Sequence, residues 1–112
     1  MEFTEIASFK EIPDSIEQDL RINDDEKIEL ISKALSSLTR REILRLIRNQ
    51  SISGELIDVS SMADILNMTE ANISAQIKRL EKAGLIRCHY MPGQHGVKKI
   101  SQITYKKIIF SI

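Results

Sequence analysis

The 112-residue sequence contains one cysteine, Cys88, and two histidines, His89 and His95. A single thiol excludes an intrachain disulfide framework. Cys88 and His89 are neighbours on a predicted strand and face opposite sides of it, so together with His95 they cannot supply the three or four convergent ligands of a zinc site. The sequence also lacks a nucleophile–base pair and a phosphate-cradling glycine loop. We therefore expect a protein that is not an enzyme and that has no metal and no cofactor.

Long apolar runs are missing as well. No stretch is long enough to span a bilayer, and residues 1–12 are acidic instead of having the basic-then-apolar order of a secretory signal. The apolar fraction of 42% is that of an ordinary globular protein. We expect one domain with a single modest core, no membrane partner and a cytoplasmic location.

The net charge is zero, but the charges are unevenly distributed along the chain. Residues 1–31 carry ten acidic and three basic side chains, and the remaining residues carry six acidic and thirteen basic ones. Within 69–107 there are eight basic and two acidic side chains. Such a local positive field suits phosphates, although a solvated surface with a chance asymmetry explains the charges equally well.

The segment TEANISAQIKRLEKAGLI has the pattern of a helix with defined ends. Thr69 is a natural N-cap, because its hydroxyl can accept from the free amides of the first turn. Gly84 supplies the left-handed residue that ends a helix, and Leu85 can fold back as in a Schellman motif. One face is an apolar stripe with i, i+4, i+7 spacing: Ile73, Ile77 and Leu80.

The other face of this helix carries small, amide-bearing and cationic side chains, which can enter the major groove of DNA. Asn72 and Gln76 can each form two hydrogen bonds with adenine, and Arg79 can contact guanine or a phosphate. The alternative is a solvated helix face without a partner. The predicted DNA-binding residues of this helix are Thr69, Ala71, Asn72, Ser74, Ala75, Gln76, Lys78 and Arg79.

Three more helices are predicted before it. The first covers 24–36, the second starts at a capping box at Thr39 and runs to about residue 48, and Ser60 or Ser61 caps the third. A short strand at 55–59 precedes the third helix. Asn67 lies where the chain needs a left-handed turn, so the third helix and the polar-faced helix form a helix-turn-helix.

After the polar-faced helix the pattern becomes extended. A strand at 86–91, a turn at 92–96 and a returning strand at 97–104 form a hairpin. The predicted fold is therefore mainly α with a small β-hairpin wing, a winged helix-turn-helix. We expect the wing to lie on the DNA backbone or in the minor groove, although a plain polar turn is the alternative. Its predicted contact residues are Gln94, His95, Lys98 and Lys99.

The predicted domain organisation has three parts. Residues 1–23 form an acidic arm outside the core, 24–104 form the winged helix-turn-helix domain, and 105–112 form a strand-like tail. The tail places Ile108, Phe110 and Ile112 on one side, which a monomer of this size would struggle to cover. We hypothesise that the tail pairs with another chain or with the N-terminal arm, and that the first helix and both termini form a dimer interface.

Three blocks of the sequence resemble the ArsR-type winged-helix family of prokaryotic repressors. ALSSLTRREIL at 34–44 is similar to that family's "AL…TRxxIL" opening, and VSSMA at 59–63 with Leu66 to its "VSELAxxL" helix. Residues 69–86 match its "SQxxVSxHLKxLxxAGLI" recognition stretch. The resemblance implies a DNA-binding repressor. No family metal site carries over, since 53–64 contain no Cys or His and the C-terminus is predicted to be a strand.

The sequence therefore predicts a transcriptional regulator of repressor type that binds double-stranded DNA as a homodimer and whose effector is unknown. The alternative is a protein–protein interaction module on the same scaffold that uses its acidic arm. An RNA reader is disfavoured, because among five aromatic residues only Tyr90 lies where it could stack on a base.

Overall fold

A computed structural model describes residues 18–112, and the predictions for residues 1–17 lie outside them. The helices are α1 (Asp25–Ala34), α2 (Leu38–Ile52), α3 (Val59–Leu66) and α4 (Glu70–Lys82). The strands are β1 (Asp19–Ile22), β2 (Ile57–Asp58), β3 (Ile86–Gly93), β4 (Gly96–Ile103) and β5 (Lys107–Phe110). The predicted mainly α fold with a β-hairpin wing is confirmed.

The core lies where α2, α3 and α4 meet, and six side chains in it are fully buried. The apolar stripe predicted for the polar-faced helix is confirmed, because its three members are all 0% exposed. No helix within residues 18–112 is long and apolar enough to cross a membrane. The six fully buried side chains are Ile43, Ile47, Met62, Ile73, Ile77 and Leu80.

Two helices begin earlier than the sequence predicts. Ser37 caps α2 by accepting from the Arg40 amide at 3.3 Å, so the predicted capping box at Thr39 is wrong. Asp58 caps α3 by accepting from the Ser61 amide at 2.9 Å, so the predicted serine caps are also wrong. In both cases a capping side chain on extended backbone precedes the predicted one, and the helix starts at the first position where the amides can be capped.

Helix α2 also ends later than predicted, at Ile52 instead of about residue 48. Ser51 is buried on the core side of the helix, and its hydroxyl donates to the Ile47 carbonyl at 2.9 Å. The serine thereby satisfies its own hydroxyl inside the helix, so a polar side chain is accommodated on the buried face of the last turns.

The wing is a hairpin of two eight-residue strands in a three-stranded antiparallel sheet of order β2-β4-β3. The predicted five-residue turn at 92–96 is wrong, because Gly93 pairs with Gly96 and only Gln94 and His95 remain in the turn. Pro92 pairs with Val97 within β3, where an edge strand tolerates the missing amide. Gly96 closes the turn at φ 110°, a region that favours glycine.

Strand β1 pairs in parallel with β5, in a register that joins Asp19 to Lys107. The prediction that 1–23 lie outside the core is wrong for this strand, since Ile22 is only 2% exposed and belongs to the core cluster. Of the two partners hypothesised for the tail, the structure therefore shows the second, because β5 pairs with a strand of the segment predicted as the N-terminal arm. Of the apolar residues on one side of the tail, Ile108 packs on the core, whereas Phe110 is 38% exposed and Ile112 is fully exposed.

Substitution Ile77→Ala should lower the free energy of unfolding by about 2–5 kcal/mol, because it leaves a cavity beneath α4. The matched control is Ile65→Ala on α3, whose side chain is 57% exposed and whose loss should change stability by about 0.5 kcal/mol or less. Urea unfolding followed by circular dichroism measures both values. Equal effects of the two substitutions would contradict the core described here.

Candidate nucleic-acid interface

A tight turn joins α3 to α4. Asn67 has φ 56° and ψ 51°, which confirms the predicted left-handed residue, and the Met68 amide donates to the Ala63 carbonyl at 2.9 Å. Thr69 then caps α4 as predicted, by accepting from the Asn72 amide at 3.1 Å. These local bonds fix the angle between the two helices and make a helix-turn-helix.

Further bonds hold α4 at both of its ends. At the start, the Ser60 hydroxyl of α3 donates to a Glu70 carboxylate oxygen at 3.0 Å. At the end, Gly84 has φ 79° and the Leu85 amide donates to the Leu80 carbonyl at 3.0 Å, which confirms the predicted Schellman ending. The helix is therefore held in one orientation relative to the core.

The face of α4 opposite the apolar stripe is open to solvent. Its exposed side chains are polar, charged or alanine, so no large apolar group lies on it. Gln76 differs from the other predicted contact residues, since it is half-buried. The exposed ones on or next to α4 are Thr69, Ala71, Asn72, Ser74, Ala75, Lys78 and Arg79.

Arg40 connects three helices from a buried position, with 8% of its surface exposed. Its Nε donates to the Ala34 carbonyl at 2.7 Å and its Nη2 to the Lys33 carbonyl at 3.0 Å, at the end of α1. Its Nη1 donates to Gln76 Oε1 at 2.8 Å. The guanidinium thus donates to two carbonyls at the end of α1, where the Lys33 carbonyl also accepts from Ser36, and it holds a side chain of α4.

Sequence reasoning missed this role of Arg40, although a signal was present. Arg40 precedes the buried Ile43 and Ile47 of α2 by three and seven residues, so the helical period places it on the apolar face. An arginine on such a face needs hydrogen-bond acceptors close by, and its reach makes a helix end a suitable source of them.

The bond from Arg40 continues along α4 as a chain of amides. Gln76 Nε2 donates to Asn72 Oδ1 at 3.1 Å, and Asn72 Nδ2 lies 3.8 Å from the Met68 sulfur. Gln76 therefore uses its oxygen toward Arg40 and one amide hydrogen toward Asn72. Asn72 lies between Gln76 and Met68 in this chain and is its exposed member, with its amide oriented by both neighbours.

The four predicted wing residues are not brought to one place. Gln94 and His95 are exposed at the hairpin tip. Lys98 Nζ lies 3.6 Å from an Asp58 carboxylate oxygen, and Lys99 Nζ lies 3.8 Å from Glu81 at the end of α4. Both lysines therefore connect strand β4 of the wing to the helix-turn-helix.

Asp58 is the N-cap of α3 and the partner of Lys98. Burial by itself would raise the pKa of Asp58, but the hydrogen bonds from Ser61 and the charge of Lys98 outweigh it and lower the pKa. The ionised carboxylate is therefore the form that the folded protein favours, and the folded state is stabilised at pH values above the ordinary carboxyl pKa.

Cys88 and His89 lie on β3, and the Cys88 sulfur is 3.5 Å from the Ser101 hydroxyl. Burial raises the pKa of the Cys88 thiol, the hydrogen bond to Ser101 opposes the rise, and Glu81 adds to it. The thiol form is therefore favoured, which is unlike a reactive cysteine. Within residues 18–112, no three His, Cys, Asp or Glu side chains are grouped so that they could hold a metal ion.

Comparisons with known proteins agree with this geometry. Residues 35–89 match the family model described as "Helix-turn-helix domain". The structure of reduced HlyU from Vibrio cholerae N16961 is similar, with a TM-score of 0.58 and 16% identity over 71% of this chain and 75% of that one. The chain has a winged helix-turn-helix fold. No curated protein matches the sequence.

Substitution Asp58→Ala should lower the free energy of unfolding of this winged helix-turn-helix by about 1 kcal/mol near pH 7, through loss of the α3 cap. Because the pKa of Asp58 is lowered by folding, the difference from wild type should shrink as the pH falls below the ordinary carboxyl pKa. Urea unfolding at a series of pH values measures this. Lys98→Gln serves as the partial control, since it keeps the Ser61 bonds. A difference that grows toward acid pH would contradict the assignment.

Proposed function

We propose that the protein is a sequence-specific transcriptional regulator of duplex DNA that places α4 in the major groove. The observation that supports this most is the asymmetry of α4. Its apolar stripe is completely buried, and its opposite face exposes only polar, charged and alanine side chains. A helix face of this kind has little to bury against a protein partner, and its donors and acceptors suit base edges and phosphates.

Within that face, Asn72 is the proposed reader of a base. Its side-chain amide is oriented by the hydrogen bonds that lead from Arg40 through Gln76, and an asparagine amide can form two hydrogen bonds with adenine. Gln76 is the proposed positioning residue, because leaving Arg40 to contact a base would break a 2.8 Å bond to a buried guanidinium. Ser74 and the two alanines allow the groove wall to approach closely.

The cations around α4 are the proposed phosphate contacts. Lys78 and Arg79 are exposed on the helix. Lys98 is also available, since its side chain is 55% exposed and a surface ion pair such as that with Asp58 is worth about 0–1 kcal/mol. Lys99 is 24% exposed and held by Glu81. We therefore assign Gln94, His95 and Lys98 to the wing contact and give Lys99 the structural role.

We further propose a homodimeric repressor of the ArsR type. One recognition helix and one wing contact few base pairs, and twofold half-sites multiply the affinity. Within residues 18–112, β1 and β5 form a two-stranded sheet that packs on the core through Ile22 and Ile108. Phe110 and Ile112 extend from it as exposed apolar side chains, and Leu30 of α1 is 48% exposed. These groups are the proposed interface.

Selection of bound sequences from a random duplex pool tests the DNA proposal directly. Asn72→Ala should lower the preference at one base pair of each half-site by about 1–3 kcal/mol and leave the others unchanged. Lys78→Ala should weaken binding to all sequences alike and reduce the slope of log affinity against log salt by about one. No enrichment at low salt would favour the protein-interaction alternative.

The dimer proposal has its own test. Phe110→Ser should convert the protein to a monomer at concentrations where wild type sediments as a dimer, because it removes apolar area from the proposed interface. Val97→Ser on the wing is the control, since Val97 is 71% exposed and belongs to the other sheet, which contains neither β1 nor β5. Analytical ultracentrifugation measures both, and a Phe110→Ser dimer of unchanged affinity would refute this interface.

A further inference from the structure

A pocket of about 160 Å³ lies between α2 and the segment that leads from the wing to β5. Its walls come from parts of the chain that are distant in sequence, and none of the exposed residues of α4 lines it. The pocket is therefore separate from the exposed face of α4. Its apolar lining consists of Leu44, Leu85, Ile103 and Ile108.

The floor of the pocket is part of the protein core. Leu85 and Ile103 are each 3% exposed, and Leu44 and Ile108 pack against the core cluster. A ligand that enters the pocket therefore meets an apolar surface formed by side chains that are packed in or against the core. Binding of an apolar group to such a surface is favourable, because it removes apolar area from water.

The rim of the same pocket is cationic. Four basic side chains line it, and its lining includes no carboxylate among residues 18–112. Arg45 and Arg48 are three residues apart on α2 and so share one face, while the lysines come from the opposite wall. The four cationic residues are Arg45, Arg48, Lys106 and Lys107.

We propose that this pocket binds a small organic carboxylate whose apolar body is about one six-membered ring. The cationic rim favours a negatively charged ligand over a neutral one. The apolar floor favours an anion that carries an apolar group over a small inorganic anion. An apolar cavity of about 150 Å³ holds benzene, so a ring of this size fits. The carboxylate lies between the arginines, whose planar groups form paired hydrogen bonds with it, and Lys107 across the pocket.

Cyclohexanecarboxylate is the probe for this site, since it does not absorb where tyrosine does. Tyr105 lines the pocket, and in a Tyr90→Phe background it is the sole tyrosine and reports binding by fluorescence. We expect saturable binding of the probe. Cyclohexylmethanol, which lacks the charge, and acetate, which lacks the ring, should each bind at least about tenfold more weakly.

Two substitutions locate the site. Arg48→Gln and Lys107→Gln should each weaken binding of cyclohexanecarboxylate by at least about fivefold. The matched control is Lys82→Gln, which removes the same charge from the exposed last turn of α4 and should leave binding unchanged. Thermal unfolding of each variant checks that the fold is intact.

Three results would overturn the proposal. Equal affinity for acetate would show a surface that attracts any anion. If Arg48→Gln and Lys107→Gln leave probe binding unchanged but weaken duplex binding, these two side chains contact DNA phosphates instead of a small ligand. A shift in sedimentation on substitution, without probe binding to wild type, would show that a second copy covers the pocket. Because the probe is measured without DNA, failure of the DNA proposal leaves this test intact.

Discussion

The arrangement of α1, α2 and α4 depends on the hydrogen bonds that the buried guanidinium of Arg40 donates. It donates to two carbonyls at the end of α1 and to Gln76 of α4, from a position at the start of α2. A charged group removed from water is costly unless its donors are used, so its position is fixed by the acceptors that it reaches. The bond to Gln76 ties α4 to the ends of α1 and α2, and through Gln76 it orients the amide of Asn72.

The two lysines of β4, Lys98 and Lys99, suit two different roles, a contact to phosphate and an ion pair within the chain. Their number and position in the sequence suit phosphate contacts. In the folded chain Lys98 is paired with the cap of α3 and Lys99 with the end of α4. They join the wing to the helix-turn-helix, and only the more exposed Lys98 is in a position to exchange its partner for a phosphate at low cost.

Local signals predicted the elements well where each signal lies within one element. The cap at Thr69, the left-handed Asn67 and the stripe of α4 all depend on neighbours within a few residues. Predictions failed where two local signals competed. Ser37 outcompetes Thr39 as the cap of α2, and Asp58 outcompetes Ser60 and Ser61 as the cap of α3, so both helices begin earlier than their patterns indicate.

The sequence by itself determined the helix-turn-helix, the hairpin and the polar face of α4, because hydrophobic period and capping are properties of short segments. Tertiary structure decided the rest. The alternation of the tail left two partners open, another chain or the N-terminal arm, and the structure pairs β5 with β1 in a register that joins Asp19 to Lys107, which no local pattern specifies so far along the chain. Likewise, whether the Gln76 side chain is available to a base or is hydrogen-bonded within the protein depends on Arg40, a residue of another helix. Such roles are set by packing, which brings together groups that the sequence keeps apart.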